Sequence, residues 1–168
     1  MTDVKVTKDL ENKTLIIEYV ANGSKAKVWK AYADKDWFEK WWGPEGWVTS
    51  VKEFNFIPGG RVHYGMKCVD ENQGEWFGQT SWGVMEIQTI DEGSSFSYVD
   101  YFSDEAGVLN TGMPVQTVRN EFTQEGNATR IVSRCIAESA EQIEELVKMG
   151  MIEGFSSQLN RLDALLAQ

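Results

Sequence analysis

The sequence predicts an α+β fold in which a curved antiparallel sheet packs against a long C-terminal helix, with two short helices following the first strands. Three observations predict it. Across residues 139–166 the apolar side chains Ile143, Leu146, Val147, Met151, Phe155, Leu159, Leu162 and Leu166 recur at three- and four-residue steps, the spacing of a helix with one buried face. Ahead of that tail, strand-like segments follow one another through short turns, and parallel neighbours would need crossovers of about a dozen residues or more. Between the first strands and the rest, Gly43-Pro44 ends a short helix, because proline lacks an N–H and restricts the residue before it. A broad apolar helix face needs a broad partner, and the sheet is the available one. Gly150 and Gly154 interrupt the helix where side chains would otherwise fill the sheet's concavity, so a pocket between the two layers is expected.

Residues 4–8 alternate, Glu11-Asn12-Lys13 supplies a turn, and residues 14–20 follow with an apolar run at Leu15-Ile16-Ile17, which makes a strand pair. After Asn22-Gly23, Ser24 is placed to cap a helix through Val28, Trp29 and Tyr32. A second helix covers residues 34–42. Residues 51–57 form a strand ended by Pro58-Gly59-Gly60, and residues 61–69 form the next. There Val62, Tyr64, Met66 and Cys68 occupy a dry face, and Arg61, His63 and Lys67 a wet one. Beyond a polar turn at 70–74, strands over 76–90, 95–102, 115–123 and 128–136 complete the sheet, the last two joined by a hairpin at Gly126-Asn127. Residues 103–114 are the long connection and read either as a lid over a cavity mouth or as a plain loop. Ser139-Ala140-Glu141-Gln142 opens the tail as a capping box, and Glu141, Glu144 and Glu145 complement the positive helix end.

A length of 168 residues suits one domain, 1–168, and a hydrophobic fraction of 42% with seven Trp argues for a packed core over disorder. A formal charge of −10 without a run of Lys or Arg argues against nucleic acid and anionic membrane surfaces as partners. The N-terminus carries no apolar signal segment, and no window reaches the ~20 apolar residues of a membrane span, so a cytoplasmic location is the default. Cys68 and Cys135 lack metal-site spacing and are expected as reduced core thiols, a single disulfide between them being the alternative.

Candidate catalytic groups are few. His63 is the only histidine, and its place beside Arg61 and Lys67 makes it an exposed or half-buried structural residue, with a pocket acid/base role as the alternative. No HxH, HExxH or HxxxH partner exists for a metal, and Gly59-Gly60 lacks the spacing and the following helix of a phosphate loop. Glu86, Asp100 and Arg119 stand in apolar strands and are assigned to the sheet's outer, solvated side; an ion pair or polar spot inside a cavity is the alternative. Trp37, Trp41 and Trp42 crowd one short helix, so at least one ring is expected to border a pocket or an exposed patch.

Taken in order, several segments resemble the Aha1-type (activator of Hsp90 ATPase homologue) branch of the START-like (SRPBCC) superfamily. Val28-Trp29-Lys30-Ala31 resembles its first-helix Val-Trp-x-Ala, and Trp41-Trp42-Gly43-Pro44 its Trp-Trp-Gly-Pro corner. Phe56-Ile57-Pro58-Gly59-Gly60 is similar to its Arg-Pro-Gly-Gly turn, and Gly83-Val84-Met85-Glu86-Ile87 to its Gly-x-x-Glu-Ile strand. Gly154-Phe155 with Leu159 and Leu162 is similar to its C-terminal Gly-Trp-x-x-x-Leu-x-x-Leu. The chain departs from the pattern at Gly23-Ser24, where Ala-Pro is usual, at Ile57 in place of arginine, and at Phe155 in place of tryptophan.

The resemblance implies a helix-grip (START-like, Bet v 1-like) fold: an antiparallel sheet wrapped around the C-terminal helix, two small helices closing one end, and a largely apolar cavity between. It implies a small apolar or amphipathic ligand as partner, with no cofactor and no metal. The lining expected from the first helices and the sheet is Trp29, Trp41, Tyr64, Met66, Trp82 and Tyr98; from the tail it is Met151, Phe155 and Leu159. Two other functions stand beside this one. The first is an interaction domain for an Hsp90-like chaperone, although the namesake's N-terminal domain has no counterpart in this chain. The second is a cyclase- or hydrolase-like cavity enzyme, for which one histidine leaves chiefly Glu, Asp, Tyr and Arg as candidates. A monomer and a homodimer are both compatible with the sequence.

Overall fold

The pleat of the strands decides which side chains meet the C-terminal helices, so register matters more here than strand count. The computed structural model describes residues 4–168, and Met1, Thr2 and Asp3 at the expected leaderless N-terminus lie outside the described residues. Strands β1 (Lys5–Asp9) and β2 (Thr14–Ala21) pair through a turn in which Lys13 takes a φ of 55°. Helices α1 (Lys25–Ala33) and α2 (Lys35–Trp41) follow, capped by Ser24 and Asp34, whose side chains accept the backbone N–H of Lys27 and Trp37. Then come β3 (Trp47–Phe54), β4 (Arg61–Cys68), β5 (Thr80–Asp91), β6 (Ser95–Ser103), β7 (Gln116–Glu125) and β8 (Ala128–Ile136).

All neighbours are antiparallel, in the order β1-β2-β8-β7-β6-β5-β4-β3. The expected meander runs from β3 to β8. The first two strands join beyond β8, because α1 and α2 carry the chain from one end of the sheet to the other. Register shifts at Val51/Glu53 and Ile87/Thr89 bend the sheet so that it curves around the helices.

Two strand boundaries differ from expectation. β3 begins four residues earlier than 51, where Trp47 to Ser50 pair with Cys68 to Gly65, and it ends before Phe56, whose ring packs edge-on against Trp29 and Phe96. β5 begins at Thr80, not at residue 76, because Glu71–Trp76 form a 3₁₀ turn opened by the Asp70 side chain on the Asn72 N–H.

The C-terminal tail is two helices, α3 (Ala140–Lys148) and α4 (Met151–Leu166). Gly150 makes the break with a φ of +89°, a left-handed conformation that a side chain would disfavour. Gly154 interrupts nothing: its N–H donates to Gly150 O inside a continuous turn. Ser139 caps α3 on the Gln142 N–H, while Gln142 Oε1 accepts from Glu138 N, one residue before the reciprocal partner of a capping box. On α4, Leu159, Leu162, Leu165 and Leu166 are buried in a core shared with Leu15, Ile17, Val28, Trp41 and Ile131. Each such leucine contributes roughly 1.5–3 kcal/mol of burial. Among the described residues, no helix is long and apolar enough to cross a membrane.

The outer face of β4 is not wet at His63, which is 5% exposed and not half-buried or exposed as expected. The reason is tertiary. The segment after β6 folds back over it, bringing Asp104 O to 3.1 Å from His63 Nε2, while Arg61 Nη2 donates to Gly107 O at 2.7 Å. Trp82 closes the other side, its ring 5.4 Å from the imidazole. The first half of the long connection, at Asp104 and Gly107, therefore lies on the outer face.

Candidate ligand-binding cavity

The inner faces of β4 to β7 are set by alternation, and the Gly150 break sets where helix cover is thinnest. Between them lies a cavity of about 230 Å³. Its sheet wall carries Tyr64 and Met66 from β4, Ser81 and Gly83 from β5, Asp100 and Phe102 from β6, and Gln116 from β7. Leu146 and Met149 from the end of α3, Gly150, and Met151 and Phe155 from α4 close the other side. Met149 is exposed and marks the mouth, and Pro114 is the part of the long connection that reaches the wall. A second lobe of about 180 Å³ extends toward Trp42, Pro44, Tyr98, Gly154 and Gln158 and shares Tyr64, Met66, Asp100, Gln116, Met151 and Phe155 with the first. Gln158 Oε1 accepts the Gly43 N–H at 2.8 Å, tying α4 to the Trp42-Gly43-Pro44 corner.

Asp100 departs from its expected place on the outer side. In β6 it has the same parity as Phe96 and Tyr98, and it sits opposite Met85 on one neighbour and Gln116 on the other. The pleat therefore turns its carboxyl inward, where burial raises its pKa to about 7, against the lowering effect of hydrogen bonds from Gln116 and Tyr64. Tyr64 Oη donates to Asp100 Oδ1 at 3.4 Å. Burial, reinforced by the Asp100 charge, holds the Tyr64 and Tyr98 hydroxyls well above their usual range and the Cys135 thiol at about 12. Cys68 and Cys135 are both free and buried. The other two charged strand residues do lie outside: Arg119 is exposed beside Glu121, and Glu86 interacts with the Tyr101 hydroxyl.

Of the residues expected to line a pocket, Tyr64, Met66, Trp82, Met151 and Phe155 border the larger lobe, and Tyr98 borders the second. The Trp82 ring itself stands over Gly65 on the outer face, with Lys52 Nζ 5.0 Å from its centroid. Trp29, Trp41 and Leu159 belong to the core and to neither lobe. Trp29 meets Phe56, Phe96 and Phe122 edge-on, and Trp41 is fully buried with Nε1 donating to Ala31 O at 2.8 Å. Leu159 is buried past Gln158, the last α4 residue on the wall. Of Trp37, Trp41 and Trp42, the one that borders the cavity is Trp42, while Trp37 lies under Lys30 Nζ at 4.6 Å.

Sequence reasoning missed Asp100 and Gln116 as wall residues, although their parity with Tyr98 and Val118 is a signal that finds them. Leu146 belongs to the apolar helix face and Pro114 to the connection that the sequence offers as a lid, but nothing local marks Met149, whose position depends on where the helix breaks.

Comparison with known proteins bears on the whole chain. The family described as "Activator of Hsp90 ATPase homolog 1-like protein" matches residues 22–167. The crystal structure of protein Ms6760 from Mycobacterium smegmatis superposes with a TM-score of 0.85 and 37% identity, covering 98% of this chain and 97% of that one. A solution structure from Arthrobacter aurescens gives 0.86 at 28% identity, over 97% and 91% of the two chains. CalU16 from Micromonospora echinospora shares the fold, with a TM-score of 0.62 at 15% identity over 99% of this chain and 86% of its own. No curated protein matches the sequence.

Proposed function

The chain belongs to the activator of Hsp90 ATPase homolog 1-like family, with the helix-grip fold of START-like proteins, and from that premise we propose that it binds a small, largely apolar molecule between its sheet and its C-terminal helices. What carries this reading is a two-lobed cavity whose wall is mostly Met, Phe, Leu, Trp, Tyr and Pro, with the Tyr64 hydroxyl and the Gln116 amide beside Asp100. Ligand sites have this character: an apolar body with few polar groups to fix orientation. Either lobe alone is smaller than the ~300 Å³ at which such sites begin, so the occupant is compact and extends through both. Filling apolar surface supplies the affinity, at roughly 25 cal/mol per Å² removed from water before the cost of association.

The reading is tested by methyl NMR during titration with compact aromatic and alicyclic compounds. Met149 lines the larger lobe and Met66 and Met151 line both, so the three methyls report occupancy of the cavity directly. Ligands are expected to move those methyls in the natural protein and to lose affinity in Ser81→Phe, where a ring would occupy the lobe. A panel that moves none of the three methyls would overturn the reading.

A further inference from the structure

Both lobes are supplied with hydrogen-bond acceptors and lack a cation. Asp100 is the one carboxyl of the wall, ionised above its raised pKa, and among the described residues no Lys, Arg or His lines either lobe. An ionised carboxylate has about four acceptor sites. In this cavity it receives Tyr64 Oη at a long 3.4 Å and the side chain of Gln116. Donation from Gln116 to a carboxylate commits its amide NH₂ to Asp100 and leaves Oε1 as the free end. That oxygen is buried and has no hydrogen-bond partner. The Ser81 hydroxyl stands on the same wall. A buried carboxylate without a counter-ion, beside a buried amide oxygen without a donor, is costly in the empty protein, and both costs fall when one cationic donor group arrives.

We infer that the ligand is an amphipathic amine: a compact apolar body lying on Met66, Phe102, Leu146, Met151 and Phe155, with a protonated amino group received by the Asp100 carboxylate and, once a side-chain turn uncovers it, by Gln116 Oε1. This rests on the cavity-binding reading above and adds the head group to it. An ammonium has three donors and no acceptor, which matches an acceptor cluster with one charge. The same cluster discriminates against carboxylates, whose charge would meet that of Asp100 with no basic residue to relieve it. A neutral alcohol of the same shape can give one hydrogen bond but leaves the carboxylate charge uncompensated, so it ranks between the two.

The test compares 3-phenylpropylamine, 3-phenylpropanol and 3-phenylpropanoate, which differ only at the head, by titration at pH 8 with the Met66, Met149 and Met151 methyls as readout. Amine affinity is expected to exceed that of the alcohol, and the carboxylate to bind at least tenfold more weakly than the amine. Asp100→Asn, which keeps shape and removes charge, is expected to bring the amine to the level of the alcohol while changing the alcohol little. Gln116→Met is expected to weaken the amine several-fold and provides a second handle should Asp100→Asn not fold. If the compounds move the methyls but the carboxylate matches the amine, or the amine keeps its advantage in both variants, the head-group inference is overturned and the cavity reading stands. If none of the three moves a methyl, both fall.

Discussion

Tyr64 reaches Asp100 across a strand position that carries no side chain: its Oη lies 3.4 Å from Asp100 Oδ1, and a Cβ added at the intervening Gly83 would come within 2.7 Å of that hydroxyl. Gly83 and Tyr64 are direct partners in the β4–β5 ladder, so the glycine provides the space in which the phenol lies down toward β6. Gly83→Ala is therefore expected to push the ring off its position. Overpacking of this kind costs about 1–3 kcal/mol, measurable as a lower urea midpoint, and the Tyr64–Asp100 contact should be lost. An unchanged midpoint would show that the ring moves freely.

Asp100 makes stability depend on pH. Its carboxyl titrates near 7 in the folded chain, against a usual value of 3.8, so between those values the folded state holds a proton that the unfolded state has released. Stability from this group is complete below pH 4 and is lost as pH rises through 7. The groups around it are Tyr64, Tyr98, Gln116 and Cys135, and α4 contributes Met151, Gly154, Phe155 and Gln158, none of which titrates in that window. At roughly 1.4 kcal/mol per pH unit the effect amounts to a few kcal/mol at most, since the carboxyl keeps an edge on the open cavity. Asp100→Asn should flatten the pH 4–7 slope and be more stable than the natural protein at pH 8, as urea titrations across that range would reveal. A slope that survives the substitution assigns it elsewhere.

Arg161 holds the corner that walls the second lobe. Its Nη1 donates to Gly43 O at 2.8 Å and Trp47 O at 3.1 Å, with Trp42 O and Pro44 O also in reach. Nη2 reaches Lys40 O at 3.4 Å as well, and one ammonium cannot stand at both nitrogen positions, so Arg161→Lys is expected to cost about as much as Arg161→Ala, some 1–3 kcal/mol. Chemical denaturation of the two variants compares them. A lysine variant as stable as the natural protein would mean that charge alone suffices.

Gly154→Leu should stabilise. The glycine sits inside α4, a Cβ there meets nothing within 4 Å, and Gly in a helix interior costs roughly 0.5–1 kcal/mol relative to Ala. The added side chain is expected to raise the melting temperature by a few degrees and to fill the second lobe, weakening any ligand that spans both. A lower melting temperature would mean that α4 is displaced from the sheet.

Much of the architecture was legible because it depends on periodicity and local chemistry. Alternation placed Tyr64 and Met66 inward, Ser24 and Ser139 identified helix starts, and Gly126-Asn127 located the last hairpin. Alternation also contained Asp100, which shares the parity of Tyr98. Solvation cost argues that a carboxylate faces water, but the pleat allows no choice within a continuous strand, and geometry prevailed.

What the sequence by itself determined is therefore the order of strands and helices, which residues share a face of a strand, and the family. Tertiary structure alone decided the rest. His63 is buried because a connection about forty residues away covers it, and Trp29 and Trp41 are core because other aromatics close around them. The cavity lies where the Gly150 break opens the helical cover above Asp100. Parity is a property of neighbouring residues, whereas burial is a property of whatever the folded chain brings back from a distance. No local pattern carries that information.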